Sequence, residues 1–166
     1  MPGNTPEGTP EATAGMQDLY FDLQAEVDMT KHIGSLDITH KLLELVHIDG
    51  PKHVLDVGCG VGRTPAYLAR KYGCTVMGID IREKMIARSR ERAKRACLEG
   101  LLEFHLADAQ DLPFENARFD LVMTESVMMM IPDQEQALSE FVRVLKPGGY
   151  AGLNEPSWQK EPTPDM

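Results

Sequence analysis

Short apolar runs alternate along this chain with longer stretches in which apolar residues recur every three or four positions. That pattern predicts strands followed by helices. Val54 to Val57 is the first such strand and runs into the turn Gly58-Cys59-Gly60-Val61-Gly62. Thr64 to Lys71 reads as a helix ended by Tyr72-Gly73. Thr75 to Ile79 is a second strand ending at Asp80, and Glu83 to Leu98 a helix stopped by Gly100. Leu102 to Ala107 is a third strand ending at Asp108, and Phe119 to Thr124 a fourth. Gln134 to Leu145 is a helix closed by Lys146-Pro147-Gly148-Gly149, and Tyr150 to Asn154 a fifth strand. Upstream, Met16 to Met29 has helical spacing. Leu36, Leu42, Leu43, Leu45 and Val46 gather on or near one face of a helix that Ser35 is placed to cap, before Asp49-Gly50-Pro51 ends it.

Apolar strands alternating with helices imply parallel strand-helix-strand units and a sheet covered on both faces. The expected fold is therefore α/β: a doubly wound, mostly parallel, Rossmann-like sheet with flanking helices. Right-handed crossovers leave few topologies open. Ligands in such sheets sit beyond the carboxyl ends of the strands, where the winding reverses, which directs attention to the residues after Val57, Ile79, Ala107 and Thr124. The expected organisation is a disordered tail over residues 1–15, rich in Pro, Gly, Thr and Glu, then a helical cap over 16–50. The core covers 51–156 and an irregular end 157–166.

The chain has 166 residues, enough for one domain with a substantial core. Its net charge of -9 argues against a nucleic-acid backbone as the main partner. The one basic stretch, Arg82 to Arg95, carries Glu83 and Glu91 at helical spacings and reads as a solvated helix face. Cys59, Cys74 and Cys97 form no zinc-like spacing, so no metal is expected, and their sparse, odd count suits a reducing cytoplasm. No apolar run approaches the roughly 18 residues of a membrane helix, and the N-terminus has no hydrophobic signal core.

Candidate chemistry lies at the strand ends. Glycines at 58, 60 and 62 let the backbone turn tightly and come close to a ligand. The spacing is GxGxG, whereas the third glycine of a dinucleotide fingerprint would fall at Arg63. Asp56, two residues before the turn, is a poor neighbour for pyrophosphate and a good one for an ammonium group. Asp80 lies roughly 20 residues past the turn, where an acid can accept from ribose hydroxyls. The plainer reading is a helix-start acid. Asp108 is placed to accept from an exocyclic amine or to be a plain loop acid.

The ordered blocks VLDVGCGVG, GIDI, FHLADAQDLPF, RFDLVMTES and LKPGG resemble the class I S-adenosylmethionine-dependent methyltransferases, from about Leu36 to Glu155. The likeness is to the Rossmann-like type 11, quinone-biosynthesis-like small-molecule group. It implies S-adenosyl-L-methionine as cofactor, with Asp56 and the turn of Gly58, Gly60 and Gly62 at its amino-acid end. It places Asp80 on the ribose hydroxyls, Ile81 on the adenine, and Asp108 at the adenine amine with Ala109 nearby. Glu125, directly after the fourth strand, would face the cofactor or the acceptor, or lie on the surface. The implied activity is methyl transfer to a small-molecule acceptor.

The sequence departs from the resemblance in two places. Where relatives often carry a His pair before Pro-Asp, this chain has Met129 and Met130 before Ile131-Pro132-Asp133. Four methionines between Met123 and Met130 line an apolar acceptor pocket or fill core space. The fold is also expected to be truncated after the fifth strand. A fragment, a partner chain that supplies the rest, or a second copy that completes the sheet would each account for this. The alternative function is a non-catalytic S-adenosylmethionine-binding module or partial subunit needing a partner chain. A nucleotide-sugar or nicotinamide-linked enzyme is disfavoured by the glycine spacing. Tyr20, His32, His40 and Glu125 are candidate bases, but none sits in a motif that fixes its role. His47, His53 and His105 have no special case, so the catalytic residues stay unassigned.

Overall fold

The computed structural model describes residues 10–27, 29 and 35–156. Five strands form one sheet: β1 (His53–Val57), β2 (Thr75–Asp80), β3 (Leu102–Leu106), β4 (Phe119–Glu125) and β5 (Leu145–Asn154). Their order is β3-β2-β1-β4-β5, and every neighbouring pair is parallel. The chain winds outward from β1 to β3, crosses back to β4, and winds the other way to β5. The reversal falls between β1 and β4, the position where such sheets open a crevice.

Among the described residues, five α-helices accompany the sheet: α1 (Pro10–Glu26), α2 (Ser35–Leu45), α3 (Arg63–Tyr72), α4 (Glu83–Arg95) and α5 (Gln134–Val144). The pleat sends alternate strand residues into two cores. Val54, Val76, Leu121 and Met123 pack with Leu43 of α2, Leu68 of α3 and Ile86 of α4. Leu55, Met77, Ile79 and Val122 pack with Ala137, Phe141 and Val144 of α5. The buried residues of α5, Ala137, Glu140, Phe141 and Val144, fall at the three- and four-residue steps of one helical face.

Two boundaries differ from the sequence expectation. The helix α1 begins at Pro10, inside the stretch expected to be a disordered tail; a proline is accommodated in a first helical turn because its missing N–H has no partner there. The Lys146-Pro147-Gly148-Gly149 stretch, expected to separate helix from strand, lies within β5. Phe119 pairs with Leu145 and Leu121 with Tyr150, so the extra residues bulge out between two paired positions. Gly148 there has φ +79°. Lys146 Nζ holds Asp120 Oδ1 at 2.9 Å across the bulge.

Between β3 and β4 the crossover carries no helix; residues 107–118 form a loop over the α5 face. Leu112 and Phe114 plug that face and are buried. A buried loop needs partners for its backbone groups, and α5 supplies them. Arg143 donates to the carbonyls of Phe114 (2.7 Å) and Leu112 (2.9 Å), and Glu140 accepts from the Leu112 N–H (2.8 Å). Arg143 also holds Glu140 at 2.6 Å, which keeps the Glu140 carboxyl below its ordinary pKa. Arg143→Met should therefore destabilise the fold by about 2 kcal/mol, from loss of charge-assisted bonds to buried carbonyls. Thermal unfolding should show a drop of several degrees, on the order of 2–4 °C per kcal/mol for a chain of this size. An unchanged melting temperature would show that the loop carbonyls need no such clamp.

Candidate functional site

The carboxyl ends of β1, β2 and β4, with the loop after β3, enclose a cleft of about 660 Å³. Its floor is the turn after β1. The N–H groups of Gly58 and Cys59 both donate to the Ile79 carbonyl (2.8 and 2.9 Å), and the Gly60 N–H donates to Asp80 Oδ2 (3.0 Å). The end of β2 thus fixes the turn. Gly58 has φ +72°, and a Cβ there would stand 2.4 Å from Val127 Cγ2, so only glycine serves both the turn and the wall. Gly62 does something else. It does not line the cleft; it caps α3 at φ +76°, and a Cβ would meet Ser89 at 2.9 Å.

The cleft gathers carboxylates. Asp56 is 3 % exposed, and burial pushes its pKa well above the ordinary value, helped by the charges of Glu125 and Asp80. Asp80 is also raised, by burial, although the backbone N–H groups of Arg82 and Gly60 pull the other way. Asp108 faces the same space, with Ala109 beside it. The Cys59 thiol is pushed up by burial and by both acids, which leaves it an unreactive neutral group. Asp56, Gly58, Gly60, Asp80, Ile81, Asp108, Ala109 and Glu125 all line one cleft. Ile81 does so with 68 % exposure, an apolar face turned to solvent.

Glu125 is less available than the sequence suggested. Its Oε1 accepts from Thr39 (2.8 Å) and Asn154 (3.3 Å), and its Oε2 from Thr64 (3.0 Å). It therefore ties α2, α3 and β5 to the end of β4. The four methionines divide. Met123 and Met128 are core, while Met129 and Met130 line the cleft at 67 % and 50 % exposure. Among the candidate bases, Tyr20 and His40 do not line the cleft, and His40 instead meets the Lys71 ammonium. His32 lies outside the described residues.

Several lining residues carried no sequence signal. Phe21 and Gln24 come from α1, just over 50 residues before β2. Ion pairs hold that helix in place, Asp18 to Arg82 (2.7 Å) and Asp22 to Lys84, and the Arg82 guanidinium lies 4.5 Å from the Phe21 ring centre. Thr64, Arg82, Met85, Gln110, Ser126 and Val127 complete the wall. Ser126 has φ +62°, a conformation that costs a non-glycine residue energy and that concentrates at functional sites.

A family model described as a methyltransferase domain matches residues 55–153. The chain is 40 % identical over 116 residues to Methyltransferase GfsG of Streptomyces halstedii, covering 70 % of this chain and 42 % of that protein. It is 40 % identical over 98 residues to the chloroplastic tocopherol O-methyltransferase of Arabidopsis thaliana, covering 59 % of this chain and 28 % of that one. The chain thus spans less than half the length of these relatives. Among solved structures, the MccD protein superposes with a TM-score of 0.78 at 26 % identity, covering 82 % of this chain and 60 % of its own. With its core matched from β1 to β5 and the carboxylates on the rim where the fold binds ligands, the chain belongs to the class I S-adenosylmethionine-dependent methyltransferases.

Proposed function

We propose that this chain binds S-adenosylmethionine in the cleft and directs its methyl group to a small-molecule acceptor entering along Met129–Pro132. The observation that carries the reading is the gathering of Asp56, Asp80 and Asp108 beside the Gly58–Gly60 turn in one cleft. A buried Asp56 and a half-buried Asp80, both with raised pKa values, call for a cationic or hydrogen-donating ligand. Asp56 takes the ammonium group. Asp80 keeps lone pairs free for the ribose hydroxyls after accepting one backbone N–H on each oxygen. Ile81 packs on the adenine face, and Asp108 accepts from its amine with Ala109 alongside. Glu125 holds the end of β4 against α2 and α3, so it shapes the site more than it touches the ligand.

When bound, the cofactor supplies a sulfonium methyl that is already activated for in-line displacement. The protein's task is then alignment and exclusion of water. Val127, Met129, Met130, Ile131 and Pro132 give the acceptor side an apolar wall. The relative named for tocopherol supports a small acceptor of that character. No described helix is long and apolar enough to cross a membrane. Cys59, Cys74 and the exposed Cys97 are all free, which suits the reducing cytoplasm we assign.

Isothermal titration against S-adenosylmethionine, its demethylated product S-adenosylhomocysteine, and NAD tests the binding. The first two should bind and NAD should not. A labelled-methyl assay over a panel of small acceptors tests transfer. Binding without transfer to any acceptor would favour a binding module that works with a partner chain. Failure to bind either of the first two ligands overturns the assignment of the cleft.

A further inference from the structure

We infer that Gln110 is a positioning residue that orients the Asp108 carboxylate toward the cofactor's base and anchors it to the start of α5. The inference rests on the adenine role proposed above for Asp108. It comes from one connected set of hydrogen bonds. The Gln110 side-chain amide donates to both Asp108 oxygens, Oδ1 at 3.0 Å and Oδ2 at 3.1 Å. The Gln110 backbone N–H donates to Oδ1 at 2.9 Å. On the other side, Gln110 Oε1 accepts from the Asp133 N–H at 3.0 Å, and the Gln110 carbonyl accepts from Gln136 Nε2 at 3.1 Å.

The network determines which way the amide points. The Asp133 N–H can only donate, so the oxygen of Gln110 must face it and the NH₂ must face Asp108. A flipped amide would set oxygen against carboxylate and NH₂ against N–H. Asp133 is itself fixed, because its side chain caps α5 by accepting from the Gln136 N–H at 2.9 Å. The carboxylate of Asp108 is therefore tied to a helix end rather than to its own loop alone.

Lone-pair counting gives this a chemical consequence. Oδ1 already accepts from two N–H groups and Oδ2 from one. A carboxylate oxygen offers two lone pairs, so the open acceptor position lies on Oδ2. One amine N–H can be received there at a set angle. A base that presents a carbonyl oxygen in place of the amine meets a carboxylate that cannot turn away. Gln110 thereby gives the site its preference for adenine, while Asp56 and Asp80 bind the rest of the cofactor whatever the base. Ile131 and Pro132, immediately before Asp133, line the same cleft. The anchor that holds the base acceptor thus also carries part of the acceptor wall.

The test compares S-adenosylhomocysteine with S-inosylhomocysteine, in which a carbonyl replaces the amine, by titration calorimetry on the full chain. The wild type should favour the adenosyl ligand by about tenfold or more, as expected for a site built around a hydrogen bond. Gln110→Met keeps the volume and removes the donors. It should bring the ratio to within about threefold, with adenosyl affinity falling and inosyl affinity level or improved as the carboxylate gains room to turn. Gln110→Glu keeps an acceptor for the Asp133 N–H but sets a second carboxylate against Asp108 in place of the NH₂ donor, so it removes the donor while retaining the contact to α5 should the first variant unfold. It should also lose the preference at neutral pH. Adding Asp108→Ala to Gln110→Met should cost no further selectivity, because both changes remove one interaction. A preserved ratio in both variants overturns the role of Gln110, and so does an equal loss for both ligands, which would mark a merely structural residue. Absence of wild-type binding to either ligand would instead overturn the cofactor reading together with this one.

Discussion

Asp56→Asn is expected to make the cofactor-free protein more stable at neutral pH while weakening S-adenosylmethionine binding by about 100-fold, the scale of removing one partner from a buried charge pair. The two effects share a cause. Asp56 is buried at the end of β1, with the charges of Glu125 and Asp80 nearby. Burial and like charge both raise its folded pKa above the unfolded value. The sign follows from linkage. A group with a raised folded pKa contributes stability that is fully present below the unfolded pKa, near 3.9 for Asp, and lost as pH rises through the folded value. At neutral pH the empty fold therefore bears a free-energy cost at this position, which an amide removes. Denaturation midpoints should place the variant above wild type at neutral pH, with the gap closing as pH falls toward the ordinary carboxylate range.

The same carboxylate makes cofactor affinity depend on pH. Protonated Asp56 must release its proton before it can pair with an ammonium group. Affinity in the wild type should rise with pH over the range above about 3.9, and Asp56→Asn should flatten that part of the profile. Titrations at several pH values read both effects in one series. A variant that is less stable than wild type at every pH, or that binds as tightly, would remove Asp56 from the role of ammonium partner. A ligand-binding acid held at a cost to stability is a common trade between activity and fold.

The sheet was legible because its strands are short apolar runs bounded by turn residues. β1, β2 and β4 fall within a residue or two of their expected ends. The acids were legible for a related reason. Asp80 and Asp108 stand where an apolar run stops, and a doubly wound sheet gathers strand ends along one rim. Three features were hidden because they depend on what the chain meets far away in sequence. Gly62 looks like a third ligand-facing glycine, but its neighbours are Ser89 of α4 and Phe104 of β3, which only tertiary packing brings near. Glu125 looks free at the end of a strand, yet hydroxyls from Thr39 and Thr64 converge on it across three elements. Phe21 and Gln24 reach the cleft because α1 docks on α4 through Asp18 and Asp22, and no local pattern announces such a docking. The bulge in β5 reads from the sequence as the close of the preceding helix, because Pro and Gly commonly follow a helix end. Here, pairing resumes at Tyr150 after the extra residues are looped out.

Asp80→Ala should weaken S-adenosylmethionine by at least about tenfold, since each lost hydrogen bond to a charged group is worth roughly 1.5 kcal/mol or more and a ribose presents two hydroxyls. The loss should exceed what the ribose contacts alone would predict. Asp80 Oδ2 also holds the Gly60 N–H at 3.0 Å, and Oδ1 holds the Arg82 N–H at 2.9 Å. Removing the side chain frees the middle of the glycine turn and the second residue after β2, so the amino-acid end of the site loosens along with the ribose end. Asp80→Asn separates the two contributions. Its single oxygen still accepts one backbone N–H, so the turn keeps part of its support while the ribose loses a charged acceptor. The ordering expected in titration is wild type tightest, Asn intermediate and Ala weakest. Stability should change little in either variant, because relief of a buried carboxylate with a raised pKa offsets the backbone bonds that are lost. Equal affinity in all three proteins would detach Asp80 from the ligand. A large drop in melting temperature without an affinity change would make it a brace for the turn and nothing more.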